Sequence, residues 1–303
     1  MEKDKAISYT KPGISHLIGL QQTLLKNKQL IRKAAMGLAT VFLIVGLVYS
    51  YSLHPQVLQN LQWQPIALLA AIGVPLTLGL NTVEFRILAR LNLVQMPMLK
   101  ALEVTVIGSA ANMLPLPGST IVRVAALKAA GSPLIRGTSS TVLVGVIWIA
   151  VAFGYAGTWM LGVGTGFVAT AFIAIGVLVL IGSVIWWRKL DGSFRLFAWM
   201  FITRLLLVFT DSAKMYLCFA SLGVHASFAQ VSGLAVAGVL GSAVSIVPAG
   251  LGIREGVAAA ISPIVGLGAA LGFMASFINR LVGLSVIVPV AAILTLRKAE
   301  PEK

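Results

Sequence analysis

A single cysteine, Cys218, leaves this chain without a disulfide framework or a thiolate metal site, and it reads instead as a small apolar residue within a helix. The three histidines, His16, His54 and His225, lie far apart on expected loops and suggest no metal cluster. Acids are scarce too: nine Asp and Glu stand against 23 Lys and Arg in 303 residues. No G-x-x-x-x-G-K-[ST] loop is present, so ATP hydrolysis within this chain is not expected. Neither a paired Asp/Glu metal motif nor a Ser-His-Asp constellation stands out, so no enzyme activity and no cofactor are expected.

Charge of either sign is sparse. Charged residues make up 11% of the chain, whereas a soluble domain keeps about a quarter of its residues charged. Hydrophobic residues reach 58%, with a mean hydropathy of +0.95. There is too little polar surface to face water. The net charge of +14 would suit nucleic acid, but most Lys and Arg lie in short segments between apolar runs. That is the positive-inside pattern of a membrane protein, so membrane lipid, not nucleic acid, is the expected partner.

What is present in abundance is long apolar sequence. Full spans are expected near 34–53, 65–88, 137–161, 167–187, 196–221 and 268–296. Residues 1–33 are too long and basic for a signal-peptide n-region, and Ser50-Tyr51-Ser52 only weakly imitates a cleavage site, so the first apolar segment is expected to stay as an anchor. Two further apolar segments, 98–130 and 228–262, are broken by Pro115-Leu116-Pro117-Gly118 and by Pro248-Ala249-Gly250-Leu251-Gly252. Their second arms, 119–130 and 253–262, are only about 15–18 Å long as helices, too short for a hydrocarbon core of about 30 Å. Each reads as a re-entrant hairpin returning to its own side.

Charge agrees with this layout. Lys and Arg fill 1–33, the segment around Arg86, Arg90 and Lys100, then Arg136, Arg188, Lys189 and Arg195, and the tail 297–303. Segments 54–64, 162–166, 222–227 and 263–267 contain none. Both termini are then expected in the cytoplasm of a cell (inner) membrane, bacterial or archaeal.

Gly108-Ser109-Ala110-Ala111-Asn112-Met113-Leu114-Pro115 matches Gly241-Ser242-Ala243-Val244-Ser245-Ile246-Val247-Pro248, with four identities at an offset of 133. Each match lies in the first arm of a hairpin, two spans into its half. The fold class expected is an all-α polytopic bundle of two inverted repeats, 34–161 and 166–296.

Charges within the spans mark candidate functional residues, because a charge at the bilayer centre costs roughly 2.5–3.5 kcal/mol on insertion scales. Arg204, Asp211 and Lys214 fall within an arc of about 80° on the fifth span. Asn279 and Arg280 sit near the middle of the sixth, while Arg254 and Glu255 open the short arm of the second hairpin. Arg123 occupies a similar place in the first, after Ser119 and Thr120, which suit a helix cap. Helix N-termini beside arginines favour phosphate, which guanidinium binds bidentately. The alternative is a structural network of Arg254, Arg280, Glu255 and Asp211. Glu84, Arg86 and Arg90 read as interface anchors. Glu103 either pairs with Lys100 or lines the cavity.

Pro248-Ala249-Gly250-Leu251-Gly252-Ile253-Arg254-Glu255-Gly256 with Asn279-Arg280-Leu281, and Asn112-Met113-Leu114-Pro115, Pro117-Gly118 and Arg123 in the first half, resemble a known family. It is the membrane (flippase) region of lysylphosphatidylglycerol synthases and their stand-alone relatives, and the likeness spans about 34–296. Ser119-Thr120-Ile121-Val122 stands where relatives more often show Gly-Glu-x-x-Arg, so an acid is missing beside Arg123. The resemblance implies translocation of a lipid. It does not imply lysyl transfer, which the synthases carry out on a separate domain for which a chain ending at Lys303 leaves no room. Two readings follow. One is a flippase-like transporter holding an anionic headgroup with Arg123, Arg254, Arg280 and Asn279, with Asp211 and Glu255 as proton carriers or, with Lys214 and Arg204, ion-pair partners. The other is a non-catalytic accessory subunit presenting lipid to a glycosyltransferase or other lipid-modifying enzyme.

Overall fold

The computed structural model describes residues 34, 36–112, 118–243 and 251–299. The basic segment 1–33, the end of the tail, and the break residues Pro115, Pro117, Pro248 and Gly250 lie outside the described residues. Every described element is helical, and six helical segments are long and apolar enough to cross a membrane. They are α1 (Met36–Leu53), the run Trp63–Leu91, α7 (Leu134–Leu161), α8 (Gly166–Lys189), α9 (Phe194–Ser221) and the apolar part of α13 (Ala269–Ala299). This is an all-α polytopic membrane fold, with spans close to those expected from hydropathy. A short α2 (Pro55–Gln59) follows the first span.

The run Trp63–Leu91 is not uniform. It comprises α3 (Trp63–Leu68), a π-helical turn over Leu69–Gly73, and α4 (Val74–Leu91). Pro75, at the start of α4, lacks the amide that a regular helix would use, which accounts for the widened turn.

The two broken segments form pairs of shorter helices packed on one another: α5 (Met98–Ala111) on α6 (Gly118–Ala129), and α11 (Ala235–Ala243) on α12 (Ile253–Ile261). The second pair has one break more than expected. Leu234 separates α11 from α10 (Phe228–Gly233), which begins with a capping box between Ser227 and Gln230. A 3-10 turn, Ser262–Val265, follows α12.

Side chains tie the ends of each pair together. Arg136, at the start of α7, donates to the carbonyls of Leu91 and Leu190, and Asn92 bonds both Ser132 and Ser140. The chain therefore enters and leaves the α5–α6 pair at one end of the bundle, where α8 also finishes. Gln230 donates to the Val265 carbonyl at 2.9 Å, so the second pair also opens and closes at one end. That end is the opposite one, because α10 packs near Met160 at the far end of α7. α7 and α9 form the interior: half of the apolar window of α7 and 44% of that of α9 are buried, against 11% for α1 and 17% for α8.

Candidate functional site

Two charged clusters lie inside the bundle, and α9 contributes to both. In the first, the fully buried Glu84 of α4 meets two arginines. Arg123 Nη1 of α6 donates to its Oε1 at 2.5 Å, and Arg204 Nε of α9 lies 2.7 Å from its Oε2. The Arg123 guanidinium sits 5.9 Å from the Phe85 ring centre, and that of Arg204 sits 5.2 Å from the ring of Trp148. Glu84 is thus no interface anchor. The inward face of α4 carries it together with Phe85, Leu88 and Leu91, whereas Arg90 is exposed as an anchor should be. It also supplies, from another helix, the acid that the sequence lacks beside Arg123. Two cations share one anion, so the cluster keeps one excess positive charge.

The geometry of the hairpins explains why their glycines are needed. A Cβ on Gly118 would collide with the Ala111 carbonyl, so the arms can approach only with glycine there. A Cβ on Gly108 would lie 3.4 Å from Ser119 Cα, and one on Gly241 would lie 2.7 Å from Arg254 Cβ. Of this matched pair, Gly241 leaves no room for a Cβ, whereas at Gly108 a Cβ would make an ordinary contact. Ser119 and Thr120 do not cap the first short arm. The helix already starts at Gly118, and the Ser119 amide donates instead to Asn112 Oδ1 at 2.7 Å across the break. Gly252 precedes α12 at φ +77°, a conformation that favours glycine.

The second cluster gathers around that helix start. Arg280 Nε of α13 lies 3.1 Å from Oε1 of the fully buried Glu255. Lys214 pairs with Asp211 on α9 at 2.6 Å, its stem lying across Gly73 in the π turn. The polar stripe of α9 is therefore divided: Arg204 turns to the first cluster, and Asp211 and Lys214 face the second. Asn279 is buried, and its amide approaches Met215 Sδ at 3.7 Å. Arg254, packed over Gly238 and Gly241, has no ion-pair partner among the described residues. It lines a crevice with Asp211, Met215, Gly238 and Ser276. Room in the crevice amounts to about 10 Å³, about enough for one water. The hydroxyl of Ser276 is buried there without a hydrogen-bond partner. Ser276 stands one helical turn before Arg280 on the same face of α13, and that spacing was the signal for it. Glu103 pairs with Lys100 at 3.5 Å, outside both clusters. Among the described residues no group of His, Cys, Asp and Glu is arranged to hold a metal ion.

Residues 34–291, covering both clusters, match the family described as the lysylphosphatidylglycerol synthase TM region. The chain belongs to that family. No curated protein and no solved structure matches it. In this lysylphosphatidylglycerol synthase TM region protein, the resemblance seen at the two hairpins extends over the first five long helices and into the sixth. The match places it among lipid-related membrane proteins.

Proposed function

We propose that this protein moves a lipid with an anionic, phosphate-bearing headgroup between the leaflets of the cell membrane. The observation that carries the reading is Arg254: a guanidinium without an ion-pair partner among the described residues, at the start of a short helix, facing a crevice inside the bundle. A cation in that position is costly unless an anion visits it. The crevice admits about one water, so a headgroup can enter only if the bundle opens there. A headgroup would enter as Asp211–Lys214 and Arg280–Glu255 exchange their internal partners for phosphate. Asn279 and Ser276 add polar contacts from α13, and Arg123 with Arg204 offers a corresponding excess charge in the first half. Asp211 and Glu255 are the groups able to take up a proton as the pairs open.

The basic end of the bundle is assigned to the cytoplasm by its Lys and Arg. The α5–α6 and α11–α12 pairs are then re-entrant from opposite sides, and the halves are inverted repeats about their interface. That each pair opens and closes at one end of the bundle, and that the two ends are opposite, supports this. Binding and movement of lipid need no catalytic group, and no enzyme activity is assigned.

Reconstitution tests the reading. Purified protein in proteoliposomes should speed the transbilayer movement of a fluorescent phospholipid, and Arg254→Ala should reduce the rate at least fivefold while Arg90→Ala does not. Arg254→Lys should also be impaired, because an ammonium cannot match bidentate guanidinium binding. A well-folded Arg254→Ala protein moving lipid at the normal rate overturns the site. If the wild type moves none alone but raises the output of a lipid-modifying enzyme, it is an accessory subunit.

A further inference from the structure

We propose that the outer face of α8 carries a separate binding site for a phospholipid with a net negative headgroup. The structure has a groove of about 350 Å³ there, lined by Gly182, Ile185, Trp186 and Lys189. It is a shallow groove along a single helix face, open to the surrounding bilayer. The four residues follow the i, i+3, i+4, i+7 spacing of one helix face. Gly182 leaves the floor open, since a Cβ there would meet nothing within 4 Å. Ile185 is exposed, and Leu178, one turn deeper, is 69% exposed and continues the apolar track. Trp186 forms the wall, held by its indole N–H donating to Ser139 Oγ at 3.0 Å. The track thus runs from the apolar interior of the span to a cation at its end.

Charge decides the occupant. Lys189 is exposed and has no ion-pair partner among the described residues. Around it lie Arg188 and Arg195 on either side of the turn, with Asp191 the single acid between them. Arg136 reaches the same turn through the Leu190 carbonyl. A second copy of the chain apposed on this face would bring Lys189 against Lys189. A phospholipid supplies both what the groove lacks and what the lysine lacks: an acyl chain along Gly182 and Ile185, and a phosphate at Lys189. α8 is among the least covered spans, so lipid reaches this face without any opening of the bundle. The site does not depend on whether lipid is also carried through the interior.

The test uses the full chain in phosphatidylcholine vesicles containing increasing amounts of dibrominated phosphatidylglycerol or of dibrominated phosphatidylcholine with the same chains. The fluorescence difference between wild type and Trp186→Phe isolates the groove indole. Half-maximal quenching should occur at an at least threefold lower mole fraction of the anionic lipid. Lys189→Gln should erase that preference, and Gly182→Leu should weaken quenching by both lipids. Native mass spectrometry provides a readout that does not need the Trp186 variant: wild type should retain more phosphatidylglycerol than Lys189→Gln. Equal quenching by the two lipids, or unchanged retention in Lys189→Gln, overturns the site. Efficient crosslinking between copies bearing Gly182→Cys overturns it in favour of self-association.

Discussion

Arg204 Nε lies 2.7 Å from Oε2 of the fully buried Glu84, joining the fifth span to the second inside the bundle. With Arg123 on the other oxygen, Glu84 holds α4, α6 and α9 at one point. Burying such a cluster does not by itself stabilise a fold, because desolvation offsets most of the Coulombic gain. What the cluster does is fix register. The short arm α6 is anchored by one guanidinium, and α9 presents its next charges, Asp211 and Lys214, to the second hairpin.

Removing the shared anion should therefore cost more than removing one cation with it. Glu84→Ala leaves two buried guanidinium groups facing each other and should destabilise by about 3–5 kcal/mol. The double change Glu84→Gln with Arg204→Met removes one charge of each sign and should recover more than half of that loss. Thermal unfolding in mild detergent measures both. A double variant no more stable than Glu84→Ala would show that the cluster is not held by charge pairing.

Arg254 and Arg280 look alike in the sequence but differ in their surroundings, and stability should separate them. Arg280→Ala strips Glu255 of its salt bridge and should cost about 3–5 kcal/mol. Arg254→Ala removes a guanidinium without an ion-pair partner among the described residues, so it should leave stability unchanged or raise it. The same unfolding assay reads both. A large loss in Arg254→Ala would make Arg254 part of the scaffold.

The spans were legible because some 20 apolar residues between basic segments have few other uses. The division of each broken segment into shorter helices, α5 and α6 and then α11 and α12, was legible from the proline and glycine between them. Partner choice was not. Glu84 and Arg204 belong to different spans, and nothing local to either says which face meets the other, so Glu84 was taken for an anchor. The Asn112 cap was missed because its acceptor reaches across a break, whereas Ser119 and Thr120 offered a local cap. The break at Leu234 has only Gly233 as a signal. The π turn was signalled by Pro75, and its consequence, room for the Lys214 stem over Gly73, appears only once α9 is packed against it.

Glycine at the hairpin crossing should be irreplaceable in one place and neutral in another. Gly118→Ala places a methyl against the Ala111 carbonyl and should destabilise by about 1–3 kcal/mol, as overpacking does. Gly145→Ala, where an added Cβ meets nothing within 4 Å, should be neutral or gain roughly 0.5–1 kcal/mol from helix propensity. Unfolding of the two variants in parallel decides it. Equal behaviour would mean that the α5–α6 arms do not approach as closely as their backbones indicate.

Topology offers the sharpest check on the proposed membrane arrangement. Gly118 and Gly252 are poor positions for reporter cysteines, since one has no room for a Cβ and the other has a positive φ. Exposed residues at the mouths of the hairpins serve better. Gln95→Cys and Ala130→Cys flank the first pair, and His225→Cys and Ala269→Cys flank the second. Arg136 and Asn92 tie the first two positions to one end of the bundle, and Gln230 ties the other two to the opposite end. The native Cys218 is buried and can be replaced by Ser to give a clean background. In intact cells an impermeant maleimide should label His225→Cys and Ala269→Cys together with Gln59→Cys and Gly166→Cys, an exposed position where an added Cβ meets nothing within 4 Å. Gln95→Cys, Ala130→Cys and Ser193→Cys should react only after the membrane is opened. The direction follows from Lys and Arg, which crowd the end bearing Ser193 and are absent from 54–64 and 162–166. Labelling of Gln95→Cys and Ala130→Cys from opposite sides would mean that the first hairpin crosses the membrane. Arg136 would then face outward with its carbonyl partners on the other side, which its hydrogen bonds to Leu91 and Leu190 do not permit.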